Sequence, residues 1–168
     1  MKTKISKFYA ATTILVVAVI FGMTFVACKD ALTHPVQYLQ MVDADTNEIY
    51  FEEPLEEDGV FSVSYIHSVN KTNVEEYYRL EDDCIYLFKA RYRSFGAGVA
   101  TEIEPGQTLR YEDGYMVIEN IHNALPDLFY KVGTVSDPLI HIGQHIWHMK
   151  ELAPSLTSVR FLVKNVYF

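Results

Sequence analysis

The sequence predicts a mainly β protein, a compact antiparallel sandwich or barrel-like domain of roughly eight or nine short strands with one short helix, preceded by an N-terminal membrane-targeting helix. Three observations support this fold class. Tyrosine and phenylalanine, which favour strands, number 12 and 10 among 168 residues. Apolar and polar residues alternate with a period of two in several short runs. Clusters of turn-forming residues separate those runs.

The chain begins with a segment typical of membrane targeting. Lys2, Lys4 and Lys7 form a positive start, and residues 8–27 carry no charge. This arrangement is that of a secretory signal or a membrane anchor, and a spanning helix needs about 20 apolar residues. Because lysines favour the cytoplasmic side, we expect the chain beyond this segment to face the extracytoplasmic side of a bacterial cell membrane.

The end of this segment leaves two kinds of anchor open. Phe25-Val26-Ala27-Cys28 resembles a bacterial lipoprotein cleavage box, which would make Cys28 a lipid anchor, although Phe25 stands where leucine is usual. The alternative is an uncleaved helix with Cys28 at its outer edge. In both cases we expect residues 28–35 to form a linker and residues 36–168 a single domain, long enough to bury a core.

Strands are then predicted along the whole domain. The clearest are three in a row within residues 61–98, which end in a glycine loop. Outside this run the predicted strands are 36–42, 48–51, 108–111, 115–121, 128–132 and 158–166. The acidic segment 52–58 is expected to be a solvated loop.

Matching the apolar faces of the three central strands sets their expected register. His67 then lies opposite Glu76, and a two-residue turn at 82–83 places Glu76 opposite Lys89. Directly opposed side chains lie about 5 Å apart at Cβ, so His67 and Glu76 are close enough to hydrogen-bond. One face is therefore predicted to be apolar at one end and polar at the other, with Arg91 joining the polar end.

The polar end predicts a binding site. The loop Ser94–Gly98 follows it, and two glycines permit the backbone conformations in which successive amides bind an anion. We expect a pocket for a small carboxylate or an acidic segment of a partner. The alternative is a buried ion-pair network. The candidate binding residues are His67, Ser68, Glu76, Lys89, Arg91, Ser94, Gly96 and Gly98.

The pair His67-Ser68 does not predict a catalytic serine. Neighbours on a strand point to opposite faces, so the imidazole and the hydroxyl cannot form the hydrogen bond that activates a nucleophile. We expect no catalytic residue and no cofactor, the alternative being an extracytoplasmic enzyme with His67 and Glu76 as acid and base.

Residues 137–152 are the one helical candidate, because apolar residues recur there at helical spacing. His141, His145 and His148 would lie on an adjacent stripe, where histidines three and four apart can bind zinc or copper. The alternative is a partly exposed packing face, and Gly143 weakens the helix. The histidines are therefore weak metal candidates.

The charge and the cysteine content argue against several other classes of protein. A net charge of −8 argues against nucleic-acid binding, which needs a basic surface. Besides Cys28 only Cys84 is present, so the cysteines predict no metal site, and if Cys28 carries a lipid no intramolecular disulfide is possible. Cys84 is expected to be a small core residue at a strand start.

The central motifs resemble a known family. YIHSV at 65–69, VEE at 74–76 and RYRSFGAG at 91–98 are similar to an uncharacterised bacterial family, the domain of unknown function numbered 1850. Asn73 departs from its pattern, where proline is frequent. The motif positions are His67, Ser68, Glu76, Ser94, Gly96 and Gly98. The resemblance implies an association with TAXI-type TRAP solute transporters, and it implies no enzyme mechanism.

The sequence thus predicts a membrane-tethered extracytoplasmic accessory or binding protein of such a transporter. A TRAP permease or its solute-binding subunit is the expected partner, and a small carboxylate the expected ligand. The alternatives are a stand-alone carboxylate-binding lipoprotein, with Tyr65 and Tyr78 as its pocket wall, and an extracytoplasmic enzyme or metal-binding protein.

Overall fold

The computed structural model describes residues 35–69, 71–81, 84–93, 103–134 and 136–167. Two compact units are distinguished, Gln37–Asn165 and a second formed from both ends of the chain, and the fold below is that of Gln37–Asn165. The predicted targeting segment, the anchor at Cys28 and the loop Ser94–Gly98 lie outside the described residues. Within them, no helix is long and apolar enough to cross a membrane.

The described residues form eleven strands and one short helix. These are β1 (Val36–Asp43), β2 (Ile49–Pro54), β3 (Val60–Ile66), β4 (Asn73–Glu81), β5 (Cys84–Tyr92), β6 (Thr108–Glu112), β7 (Tyr115–Leu125), β8 (Leu128–Lys131), β9 (Leu139–Ile142), β10 (His145–His148), α1 (Met149–Leu152) and β11 (Ser158–Val166). The predicted strands outside the helical candidate are confirmed, although β2 runs into the expected loop at 52–58.

The strands form two sheets arranged as a sandwich. One sheet has four strands in the order β2-β1-β11-β8, and the other has seven in the order β10-β9-β3-β4-β5-β7-β6. The pairings between consecutive strands are antiparallel. The mainly β sandwich predicted from the sequence is therefore confirmed.

The core lies between the two sheets. Leu39 and Phe161 from the four-stranded sheet meet Phe61, Tyr78 and Ile140 from the seven-stranded sheet, and all five are at most 2% exposed. The Phe61 ring stacks on Tyr78 at 5.1 Å and lies 5.8 Å from the Phe161 ring. Each such side chain contributes about 1.5–3 kcal/mol through burial. We call the core side of the seven-stranded sheet its inner face and the opposite side its outer face.

The strands β3 and β4 pair in a register that differs from the expected one by four residues. Val63, rather than His67, lies opposite Glu76. The strand β3 ends at Ile66, and His67 lies in the six-residue connection, where its amide donates to the Thr72 carbonyl at 2.9 Å. A shift by an even number keeps every side chain on its predicted face, so apolar matching alone does not distinguish the two registers.

A β-bulge in β5 puts Lys89 and Arg91 on the face opposite to the one predicted. Leu87 lies opposite Tyr78, but Lys89 lies opposite Tyr77, so Phe88 is an extra residue on β5. A bulge of this kind reverses the alternation beyond it. Lys89 and Arg91 therefore lie on the outer face and not beside Glu76, which is opposite Ala90.

The predicted helix at 137–152 is wrong for most of its length. The strands β9 and β10 form a hairpin across Gly143, whose φ is +55°, and only Met149–Leu152 is helical. Ile140 and Ile142 are buried on the inner face, which a strand achieves by alternation. The isoleucines at 142 and 146 therefore do not form one apolar stripe, since Ile142 is 4% and Ile146 57% exposed, and the turn-forming glycine favours the hairpin.

Candidate ligand-binding cavity

A cavity of about 430 Å³ opens on the inner face of the seven-stranded sheet. Strands β3, β4, β5 and β7 supply its wall, and the segment before β6 supplies part of its rim. The described residues that line it are Tyr65, His67, Val74, Glu76, Leu87, Ala90, Tyr92, Glu104, Gln107, Ile118, Ile121, His122 and Asn123. Small-molecule sites in proteins usually have about 300–1,000 Å³, so this cavity is of ligand-binding size.

Glu76 forms the polar floor of the cavity. Its Oε2 accepts hydrogen bonds from the Tyr78 hydroxyl at 2.9 Å and from the Tyr130 hydroxyl at 2.5 Å. The two hydroxyl oxygens lie 2.6 Å apart. Since Tyr130 lies on β8 of the four-stranded sheet, this carboxylate connects the two sheets.

The tyrosines around the floor are held in their neutral form. Burial, and then the negative charge of Glu76, raises the pKa of Tyr65, Tyr78, Tyr92 and Tyr130 above the usual value of a phenol. Hydrogen bonds with Glu76 raise the pKa of Tyr65 further. Neutral phenols donate hydrogen bonds, so the floor is a carboxylate surrounded by donors.

The wall of the cavity is apolar. Val74, Ala90, Tyr92 and Ile118 belong to a small hydrophobic cluster at one end of the inner face. Leu87 packs instead against the main core cluster. The cavity therefore lies where the main core gives way to the smaller cluster, with Glu76 between them on β4.

An irregularity in β7 supplies three consecutive residues to the cavity. Ile121, His122 and Asn123 all line it, although neighbours on a regular strand point to opposite faces. Between the pairs Leu87–Asn123 and Lys89–Glu119 the ladder between β5 and β7 shifts register. The irregular stretch of β7 thus brings three consecutive residues to the cavity, although the His122 ring itself stacks on Tyr86.

The rim is polar. Glu104 and Gln107 bracket a tight turn, in which the Gln107 amide donates to the Glu104 carbonyl at 3.0 Å. The Gln107 side chain accepts from the Glu104 amide at 3.0 Å and donates to its carboxylate at 3.3 Å. The exposed His122 ring stacks on Tyr86 at 4.7 Å. His67 completes the rim from the connection between β3 and β4.

The structure brings together only some of the residues predicted to bind. His67 and Glu76 line the same cavity, although not as a cross-strand pair. Ser68 is exposed in the connection after β3. The remaining predicted loop residues, Ser94, Gly96 and Gly98, lie outside the described residues.

Lys89 and Arg91 belong to a separate network on the outer face. Arg91 Nη1 lies 2.6 Å from Glu75 Oε2, which also accepts from the Tyr77 hydroxyl at 3.0 Å. The Lys89 ammonium lies 4.5 Å from the centre of the Tyr77 ring, and the Arg91 guanidinium 4.6 Å from that of Tyr115. This network lies on the opposite face from Glu76 and involves Glu75 instead.

The three predicted metal candidates have other partners. His141 Nε2 lies 2.8 Å from the Ser64 hydroxyl, and burial lowers the pKa of this imidazole. His148 Nδ1 lies 2.6 Å from Asp137, and the His145 ring packs near Trp147. Among the described residues, no group of three or more histidine, cysteine or acidic side chains is placed to hold a metal ion.

Residues 61–149 match the family described as Domain of unknown function (DUF1850). The chain belongs to this family. No curated protein and no solved structure matches the chain. The resemblance in the central motifs is therefore confirmed as family membership.

The DUF1850 match contains the whole described lining of the cavity, together with Tyr130. The strands β1, β2 and β11 of the four-stranded sheet lie outside it. The cavity and its floor are thus features of the DUF1850 segment itself.

Sequence reasoning missed several residues of the DUF1850 cavity. Tyr130 lies 54 positions from Glu76 and on the other sheet, so no local pattern connects them. His122 and Asn123 reach the cavity at the irregular stretch of β7, which has no distinct signal in the sequence. Tyr65 and Tyr78 were predicted as a pocket wall. Tyr65 does line the cavity, and Tyr78 supports its floor.

Proposed function

We propose that this DUF1850 protein is a non-enzymatic binding protein, whose ligand occupies the cavity above Glu76. The observation that carries the proposal is the combination of an apolar wall with one partly buried, hydrogen-bonded carboxylate in about 430 Å³ of space. Ligand sites typically have this composition, because apolar walls supply affinity and a few fixed polar groups set orientation.

The chemistry of the floor favours binding over catalysis. The tyrosines that contact Glu76 have a pKa raised above that of an ordinary phenol, whereas an efficient acid or base titrates near the working pH. Glu76 itself is fixed by two hydroxyl donors. A fixed, pre-organised polar group reduces the entropy lost when a ligand binds.

The proposal extends to where the protein works. The positive start and apolar run of residues 1–27 support a tether, through Cys28 or a helix, on the extracytoplasmic side of a bacterial membrane. The resemblance to companions of TAXI-type TRAP transporters supports a role beside such a transporter. We therefore propose an accessory protein that presents a bound solute to, or senses it for, a TRAP permease or its solute-binding subunit.

The partner half of the proposal is tested by purification from the native membrane. The tagged full-length chain is isolated in mild detergent, and the co-purifying proteins are identified. A TRAP permease or its solute-binding protein in the eluate supports the role. Recovery of the chain alone, from cells that express the transporter, overturns the stable partner.

The ligand half is tested by filling the cavity. Ala90→Leu adds bulk on the cavity wall, and Ala124→Leu makes the same change at an exposed position of β7. Thermal-shift screening of the full-length chain detects ligands by the rise in melting temperature that binding causes. We expect Ala90→Leu to abolish the shift and Ala124→Leu to keep it. An equal response of the two variants would place the ligand elsewhere.

A further inference from the structure

We propose that the ligand is a small organic cation, a primary or secondary ammonium group carried on a short apolar body. This inference rests on the proposed binding function and specifies its ligand. The structural feature behind it is the charge of the cavity. Its described lining contains the carboxylates of Glu76 and Glu104 and neither lysine nor arginine.

The cations that the sequence placed beside Glu76 are turned away from the cavity. The bulge at Phe88 puts Lys89 and Arg91 on the outer face, where Arg91 pairs with Glu75 at 2.6 Å. A carboxylate ligand would therefore approach two acidic side chains without a described lysine or arginine to pair with. Juxtaposed like charges oppose binding, whereas a ligand of opposite charge is attracted.

The floor has hydrogen-bonding capacity that an ammonium group would use. An ionised carboxylate offers about four acceptor sites on two oxygens. The hydroxyls of Tyr78 and Tyr130 both donate to Oε2 of Glu76. Tyr65 also hydrogen-bonds to Glu76. Three donors leave acceptor capacity on the carboxylate for an N–H group of the ligand, and a charge-assisted bond to a partly buried carboxylate is among the stronger hydrogen bonds.

The aromatic groups around the floor suit the same ligand. Tyr65 and Tyr92 line the cavity, and the ring of Tyr130 lies 6.0 Å from that of Tyr65 in an edge-on arrangement. Ring faces attract cations, and this attraction grows as water is excluded. The apolar wall beyond them, which includes Leu87 and Ile118, would take the hydrocarbon part of the ligand.

The test compares ligands that share a hydrocarbon body and differ in charge. The full-length chain in detergent is titrated calorimetrically with butylamine and benzylamine, with butanol and benzyl alcohol, and with butyrate and benzoate. Measurements are made at one pH of about 8, at which the amines carry a positive charge and the acids a negative one. We expect each amine to bind at least about tenfold more tightly than its matched alcohol, and the acids to bind more weakly still.

Glu76→Gln keeps the shape of the floor and removes its charge. We expect it to weaken amine binding by about tenfold or more and to leave alcohol binding nearly unchanged. Glu119→Gln is the matched control, because this carboxylate pairs with Arg110 on the outer face. The wild-type comparison of amine with acid remains decisive even if Glu76→Gln does not fold.

The outcomes separate this inference from the proposed function. Tighter binding of acids or alcohols than amines, abolished by Ala90→Leu, would overturn the cationic ligand and keep the cavity as a binding site. Failure of every compound to bind would overturn both. Amine binding that Glu119→Gln and Glu76→Gln weaken equally would overturn the assignment of Glu76 as the recognising group.

Discussion

The Tyr130 hydroxyl donates a hydrogen bond to the Glu76 carboxylate across the two sheets of the sandwich. Tyr130 lies on the four-stranded sheet and Glu76 on the seven-stranded sheet, 54 residues earlier in the chain. Buried carboxylates are costly unless they are paired or hydrogen-bonded. The placement of Glu76 at the cavity floor therefore depends on a residue from the opposite sheet.

The first prediction concerns this bond. Tyr130→Phe keeps the ring, which packs 5.9 Å from that of Phe161, and removes the hydroxyl donor. We expect the free energy of unfolding to fall by about 1–3 kcal/mol, because the partly buried Glu76 loses a hydrogen-bond donor. Urea denaturation of the full-length chain measures it. Tyr111→Phe, at a side chain that is 72% exposed, is the control. Equal stability of the two variants would contradict the structural role of the bond.

The second prediction concerns alkaline pH. Burial and the charge of Glu76 raise the pKa of Tyr65, Tyr78 and Tyr130 in the folded protein above that of an unfolded tyrosine, about 10. The stability that these neutral phenols contribute is fully present below pH 10 and is lost as the pH rises above it. We expect the free energy of unfolding to decrease steadily above about pH 10.

Denaturation at a series of pH values from about 8 to 11 measures this loss. Tyr78→Phe removes one of the titrating groups, so its stability should fall less steeply with pH than that of the wild type. Tyr111→Phe again serves as the control. A wild-type stability that is flat above pH 10 would show that the three phenols titrate normally in the folded protein.

The faces of β3 and β4 were predictable from the sequence, and the register between these two strands was not. Alternation assigns Phe61, Val63 and Tyr65 to the core side, and the structure confirms it. The connection at 67–72, whose backbone hydrogen bonds involve His67, Lys71 and Thr72, sets the register between β3 and β4. Registers that differ by four residues present the same apolar pattern, so the pattern cannot choose between them.

The site was predictable in part. Glu76 and His67 stood out as polar residues on an apolar face, and both line the cavity. Lys89 and Arg91 were misplaced because a single extra residue, Phe88, reverses the alternation, and a bulge has no distinct signal in a tyrosine- and phenylalanine-rich strand. Tyr130 required knowledge of how the two sheets pack, which is a property of the whole fold.

The third prediction distinguishes the outer network from the cavity. Arg91→Ala removes the partner of Glu75, and the two side chains are 22% and 18% exposed. We expect a loss of about 1–2 kcal/mol in the free energy of unfolding, since the pair is largely but not fully shielded from water. Ligand binding in the cavity should stay unchanged, because Arg91 lies on the other face.

Arg93→Ala is the matched control for this change. Arg93 is exposed and also lies near Tyr115, with its guanidinium 4.8 Å from the ring centre. We expect Arg93→Ala to lower the free energy of unfolding by less than Arg91→Ala does. A binding defect in Arg91→Ala at wild-type stability would return this arginine to the ligand site.

The fourth prediction decides between the helix that the sequence suggests at 137–152 and the hairpin of the structure. In a helix, Gly143→Ala would stabilise the protein by about 1 kcal/mol, since glycine is the poorer helix former. In the hairpin, Gly143 has a φ of +55°, and an added Cβ would lie 2.0 Å from a side-chain oxygen of Glu56. We expect Gly143→Ala to lower the free energy of unfolding by about 1 kcal/mol or more.

Two further variants separate the causes of this loss. Gly143→Asn should cause less backbone strain than other non-glycine substitutions, because asparagine tolerates a positive φ. Glu56→Ala combined with Gly143→Ala separates the two costs, since it removes the close side chain and leaves the backbone strain. Increased stability of Gly143→Ala in urea denaturation would contradict the hairpin and restore a helix that carries His141, His145 and His148 on neighbouring turns.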